Sequence, residues 1–270
     1  MDTGLENKHI VATGASGGIG LDTVSRFLAE GARVTACYHS DPRGLTALAN
    51  EYPEQLNNIE VDVQDESSVV SLFAKANEAF GRVDACIANA GIAFHKGVAL
   101  HEMSIDQWQK TMSVNLTGVF LCAKHFFANL KVYPDGDASL VIVGSTSGEC
   151  GEAGHCDYST SKAGLRGLLL SLKNEIVHLA PRGRVNLVNP GWTATPMTED
   201  ALSDKANVSK ILQTIPLRKV AISADIAHAI LYLTSDALAG HVSGQTVTVA
   251  GGMEGRVLFS GDDREEYLER

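Results

Sequence analysis

What this 270-residue chain lacks narrows its chemistry before any motif is read. Positive charge is in deficit: 22 Lys and Arg face 32 Asp and Glu, a formal net charge of -10. Like charges repel at long range, so neither nucleic acid nor an anionic membrane surface is expected as a partner. No apolar run approaches the roughly 18 residues that span a bilayer. The first nine residues carry Asp2, Glu6 and Lys8 and lack the basic-then-apolar order of a secretory leader. A cytoplasmic protein is therefore expected. Cysteine is sparse and odd in number (Cys37, Cys86, Cys122, Cys150, Cys156). Four of the five lie in or beside apolar stretches, so they read as reduced, mostly buried thiols. Cys150 and Cys156 bracket His155, but no second Cys or His pair lies at ligand spacing, and no metal is expected. Repeats and low-complexity tracts are also absent.

What is present points to a globular chain. Hydrophobic residues make up 44% and charged residues 20% of the sequence, with a mean hydropathy of +0.01, enough to bury a substantial core under a polar surface. Nothing in the composition marks a seam, so residues 1–270 are read as one domain. Strand-like apolar runs at 9–13, 33–38, 58–61, 84–88, 140–144, 185–189 and 245–249 alternate with helical patterns at 18–30, 43–51, 66–80, 104–130, 158–179 and 224–234. Such alternation predicts an α/β, Rossmann-like, doubly wound parallel sheet of about seven strands with helices on both faces. The strands lack in/out alternation, as strands covered on both faces do. Segment 190–217 interrupts the rhythm as a long irregular stretch and is expected to form a substrate loop or lid. The charged tail, 261–270, reads as a solvated end.

Directly after the first strand stands Thr13-Gly14-Ala15-Ser16-Gly17-Gly18-Ile19-Gly20. Glycine here lets backbone approach a diphosphate, and the following helix offers free N–H groups and a partial positive charge. The spacing T-G-x-x-x-G-x-G, rather than G-x-G-x-x-G, resembles that of the short-chain dehydrogenase/reductase family. The motifs that follow extend the resemblance over nearly the whole chain. A bound NAD(P)(H) is what the loop implies. The second strand ends in Tyr38, followed by His39 and Ser40. An acid there would accept from a ribose 2′-hydroxyl and repel a 2′-phosphate. Without one, and with His39, Ser40 and Arg43 able to donate, NADP(H) is favoured and NAD(H) is the alternative. The resemblance further assigns Asp62-Val63 to the adenine and Asn89-Ala90-Gly91 to the cofactor cleft.

Tyr158 and Lys162 stand at i and i+4, on one face of one helix. A phenol of pKa about 10 is a poor base at neutral pH. An ammonium about 4–5 Å away, at an effective dielectric of about 20, favours the phenolate by up to about 3–4 kcal/mol, and is expected to bring Tyr158 toward working pH. Such a group can trade a proton with a ketone or alcohol while hydride moves. Ser145, at the end of the fifth strand, is placed to hydrogen-bond the substrate oxygen. In the family, a serine thirteen residues before the tyrosine has this role. The resemblance adds Asn115, whose backbone is expected to hold a water beside the lysine, and completes a tetrad of Asn115, Ser145, Tyr158 and Lys162. It also implies that the turn Asn189-Pro190-Gly191 and the segment through Thr193 and Thr195 meet the nicotinamide carboxamide, Thr195 by its side chain.

By position, His95, Ser147, Cys150, His155, Trp192 and Met197 are expected around the substrate, a small or medium ketone or its alcohol. Apolar residues on several faces of the helices near 104–130 and 158–179 (Val119, Phe120, Phe126, Leu165, Leu168, Leu169, Leu172) suggest subunit contact, and the resemblance implies a homodimer or homotetramer. The alternatives are a dinucleotide-sensing protein without chemistry, against which the intact tetrad argues, and a hydrolase using Ser145, which lacks a nucleophile elbow.

Overall fold

The computed structural model describes residues 2–94, 96–134 and 136–257. Seven strands form one parallel sheet: β1 (His9–Ala12), β2 (Arg33–Tyr38), β3 (Leu56–Glu60), β4 (Ala85–Ala88), β5 (Asp137–Val143), β6 (Arg182–Pro190) and, last in the chain, β9 (Thr246–Val249). Their spatial order is β3-β2-β1-β4-β5-β6-β9, every neighbour parallel. The winding reverses between β1 and β4, and a crevice opens beyond their carboxyl ends, the usual ligand position in such sheets.

Helices α1 (Gly18–Ala29), α2 (Leu45–Glu51) and α10 (Ser223–Thr234) cover one face. There Val24, Phe27, Leu28, Ile226, Ile230 and Leu233 meet Ile10, Val34 and Ile87 of the sheet. Helices α3 (Glu66–Phe80), α5 (Gly118–Val132) and α7 (Cys156–Glu175) cover the other, packing Leu72, Phe73, Phe126, Leu165 and Leu169 on Val11, Cys86, Leu140 and Ile142. Central strands therefore bury both faces, which accounts for their continuous apolar runs. All five cysteines are free: Cys37, Cys86 and Cys122 are buried, Cys156 is half-buried and Cys150 is exposed. No helix of the described residues is long and apolar enough to cross a membrane.

Two expectations about segments need correction. The helix expected over 104–130 is broken into α4 (Ile105–Met112), a π-helical turn (Ser113–Thr117) and α5. No proline or exposed glycine announces the break. It accompanies Asn115, which turns inward to bind the loop after β4, and such widened turns often mark functional positions. Segment 190–217 is mostly regular: the short strand β7 (Thr193–Ala194), a 3₁₀ turn (Pro196–Thr198), α8 (Glu199–Ser203) and α9 (Lys205–Leu212). β7 pairs with β8 (Ala221–Ile222), a tie too short to show in hydropathy. Short helices α6 (Ser147–Cys150) and α11 (Asp236–Ala239) complete the fold. Of the helix residues expected to be surplus apolar surface, Val119, Phe126, Leu165 and Leu169 lie in the chain's own core, and Phe120 is 46% exposed.

Candidate active site

The loop between β1 and α1 is held from both sides. Ala15 N–H donates to Cys37 O of β2 at 2.8 Å, and Asn89 Nδ2 donates to Thr13 O and Gly14 O at 3.1 and 3.0 Å. The Thr13 hydroxyl accepts from Asn89 N and Ala90 N, each at 3.1 Å, so the Asn-Ala-Gly segment is a brace for the glycine loop. Gly14 has φ +62, and a Cβ there would lie 2.8 Å from Ala90 Cα, so both conformation and space require glycine. α1 starts at Gly17 with no side-chain cap and no acid in its first turn. Its leading N–H groups lack intrahelical partners and face an anion-compatible end.

A cavity of about 630 Å³ lies over this loop. It is lined by Gly14, the run Ser16 to Gly20, Tyr38, His39 and Ser40, and also by Asp62, Val63, Asn89, Ala90, Gly91 and Thr195. The volume and the unfilled space above Gly17, whose Cβ would meet only Gly14 O at 3.6 Å, fit a dinucleotide whose diphosphate sits on α1. At the far end no carboxylate follows directly from Tyr38. His39 Nε2 lies 3.9 Å from Asp62 Oδ2, and Arg43 Nε lies 3.6 Å from Asp41 Oδ2. Hydrogen bonds from Gln64 hold the Asp62 carboxyl below its ordinary value against the opposing effect of burial. Sequence reasoning missed Lys110, which lines the same cavity from α4 and carries no motif. Pro190 and Thr193 are buried beneath the turn and line neither cavity. The Thr193 hydroxyl donates to Gly191 O at 2.9 Å.

Tyr158 and Lys162 project from the first turns of α7, with Lys162 Nζ 5.8 Å from the Tyr158 ring centre. Lys162 is only 6% exposed, donates to Val143 O at 3.0 Å, and burial lowers its pKa to about 8. The expectation that this ammonium brings the phenol down is not met in the free chain. Surrounding protein pushes Tyr158 above its ordinary pKa of 10.0; a hydrogen bond with Ser145 pulls back and the Glu152 carboxylate adds to the rise. Desolvation dominates at the phenol, while the ammonium is turned toward a backbone carbonyl, Val143 O. At neutral pH the phenol is thus protonated.

Two asparagines lock the surroundings. Asn115 is fully buried; its Oδ1 accepts from Ile92 N at 2.8 Å, and its Nδ2 donates to Ile92 O and Ser161 Oγ at 2.9 and 3.1 Å. With the side chain satisfied, any part it plays at Lys162 falls to its backbone. Asn189, at the end of β6, accepts from Ser145 N at 3.1 Å and donates to Glu149 Oε1 at 2.7 Å. A Cβ on Gly144 would lie 2.0 Å from Asn189 Oδ1, so that glycine leaves the space the amide occupies.

A second cavity of about 430 Å³ opens beside the phenol and shares Ala93 and Met197 with the first. Ser145, Tyr158 and Gly191 line it, as do the expected Ser147, Cys150, His155, Trp192 and Met197. His95 lies outside the described residues, as does the tail 261–270. Asp200, Ala201 and Asn207 enter from segment 190–217, the expected substrate loop, whereas Phe94, Glu152 and Met253 are not anticipated, the last brought in from the far end of the chain. Thr195 lies against the glycine loop in the first cavity: a Cβ on Gly18 would meet its Cγ2 at 2.9 Å.

Residues 14–254 match the family model described as enoyl-(acyl carrier protein) reductase. The chain is 33% identical over 255 residues to a 3-oxoacyl-[acyl-carrier-protein] reductase of Synechocystis sp., covering 93% of this chain and 98% of that one. It is 36% identical over 254 residues to cis-4-hydroxycyclohexanecarboxylate dehydrogenase of Sinomonas cyclohexanicum, covering 93% and 98% respectively. A crystal structure from Brucella melitensis, described as a short-chain dehydrogenase/reductase of the glucose/ribitol dehydrogenase type, superimposes with a TM-score of 0.84 at 34% identity, over 93% of this chain and 98% of the other.

Proposed function

Because the chain belongs to the short-chain dehydrogenase/reductase family, we propose that it interconverts a ketone and a secondary alcohol with a nicotinamide dinucleotide, Tyr158 moving the proton. When bound, the cofactor gives or takes the hydride, and its oxidised ring carries positive charge. The chain's own residues do the rest. The Ser145 hydroxyl donates to the substrate oxygen, where charge develops. The Tyr158 hydroxyl, protonated in the free chain, donates its proton to that oxygen as reduction proceeds and takes it back in oxidation. Lys162 supports the phenolate from behind and, with a pKa near 8, is suited to replenish the proton; the Asn115 backbone is assigned to hold the water that links it to solvent.

The single observation that carries this reading is the position of Tyr158. It lines one cavity together with Ser145, is backed by Lys162, and that cavity adjoins the glycine-loop cleft, the two sharing Ala93 and Met197. NADP(H) is favoured over NAD(H), supported by Tyr38 at the end of β2 and by His39, Ser40 and Arg43 around the cleft's end. Gly191 and Thr195, with Thr193 by its backbone alone, are assigned to the carboxamide, and segment 190–217 to closing over a small or medium ketone. A homodimer or homotetramer is supported by Phe120, Leu170 and Val177, each exposed on or beside α5 and α7. A cytoplasmic location is supported by five unpaired thiols.

The test is consumption of NADPH, and separately NADH, in the presence of a panel of neutral ketones. Ketone-dependent loss of the reduced cofactor, faster with NADPH, is expected; no loss with any ketone would overturn the reading.

A further inference from the structure

Glu152 belongs to no motif, yet it lines the same cavity as Tyr158 and Ser145. It sits in the turn that starts α7: His155 N–H donates to Glu152 O at 3.1 Å, and the Ser147 hydroxyl donates to Glu152 Oε2 at 2.9 Å. One carboxylate oxygen is thereby oriented by a neutral hydroxyl rather than neutralised by a cation. No Lys or Arg is among the described residues that line the cavity. The carboxylate is close enough to the catalytic phenol for its charge to be felt there.

Resting on the oxidoreductase reading, we propose that Glu152 is a specificity determinant: the cavity takes ketones bearing an ammonium or hydroxyl group away from the reacting carbon and discriminates against carboxylate-bearing ones. A carboxylate brought into a 430 Å³ cavity beside the exposed Glu152 would meet like charge there and from Asp200 in the same lining. An ammonium would be attracted and would find a carboxylate acceptor already held in place. This separates the chain from its relative whose substrate is a cyclohexanecarboxylate, despite their shared fold. The scaffold sets the reaction, and an acidic wall that holds Glu152 and Asp200 sets the charge of the substrate.

Matched probes test it: 4-aminocyclohexanone against 4-oxocyclohexanecarboxylate, with 4-hydroxycyclohexanone as the neutral member. Turnover of each is measured, and so is binding, through the fluorescence of Trp192 in the cavity wall. The intact protein is expected to favour the amine over the carboxylate on the order of tenfold in kcat/KM at low salt, mainly in KM, with the ratio shrinking as salt rises. In Glu152→Gln the ratio is expected to fall toward unity, and in Glu152→Lys to invert. An unchanged ratio in both variants, or a carboxylate preference in the intact protein, would overturn the proposal. Turnover without charge preference would sink this inference and leave the oxidoreductase reading standing. Selective binding of the amine without turnover would do the reverse.

Discussion

Asn189 holds the backbone of Ser145: its Oδ1 accepts from Ser145 N at 3.1 Å while its Nδ2 is committed to Glu149 Oε1 at 2.7 Å. An amide with its donor side fixed on a carboxylate presents its oxygen in only one direction. The carboxyl ends of β5 and β6 are thereby tied where the serine hydroxyl must meet a substrate oxygen. The arrangement exists only because residue 144 has no side chain.

Gly144→Ala is therefore expected to displace the Asn189 amide. Overpacking of this kind costs about 1–3 kcal/mol, and the loss of serine positioning is expected to lower kcat by at least about tenfold. Glu149→Gln, which can turn its carbonyl oxygen to the same amide, is expected to retain most of the activity, whereas Glu149→Ala is not. Thermal unfolding and steady-state kinetics of the three variants check this.

Lys162 is held for function at a cost in stability. Its pKa falls from 10.5 to about 8 on burial, so the unfolded chain binds more protons between those values and stability rises as pH climbs from about 8 toward 10.5. Below about 8 the full penalty is present. At about 1.4 kcal/mol per pKa unit it amounts to roughly 3 kcal/mol, part of it offset by the bond to Val143 O. Lys162→Met is expected to stabilise the free protein at pH 7 by about 1–3 kcal/mol, to lose that advantage by pH 10, and to be nearly inactive. Denaturant titrations across that range measure it.

Cofactor preference turns on the end of β2. Tyr38→Asp places a carboxylate where a 2′-phosphate would lie, and is expected to shift the NADPH to NADH ratio of kcat/KM toward NADH by at least about tenfold. Arg43→Ala is expected to move it the same way by less, since Asp41 already engages that side chain. An unchanged ratio in Tyr38→Asp would mean the ribose lies elsewhere.

Phe120 is 46% exposed on α5. Phe120→Glu is expected to reduce the mass found by sedimentation equilibrium if this helix joins subunits, with no loss of helicity.

Much of this was legible because it is written in short-range spacing. Tyr158 and Lys162 share a helix face by i,i+4 geometry, and the glycine loop follows its strand directly. The order of buried strands shows in their unbroken apolar runs. What escaped depends on neighbours in space. The π turn at Asn115 answers to Ile92, 23 residues away. Asn189 becomes informative only when the β5–β6 register sets Val143 beside Val188 and so brings Gly144 under its amide. β7 and β8 are two residues each, below the length at which periodicity speaks, so segment 190–217 read as irregular. For the pKa of Tyr158, spacing gives the distance to a charge but not the degree of burial, and burial dominates in the free chain.

The most direct test of the account is Tyr158→Phe, a change that keeps the ring and removes the transferable proton. With cofactor binding measured by nicotinamide fluorescence alongside turnover, the account predicts an unchanged dissociation constant within about twofold and a kcat lowered by about 10²–10⁴. Full turnover in the variant, with the same substrate and cofactor, would contradict it.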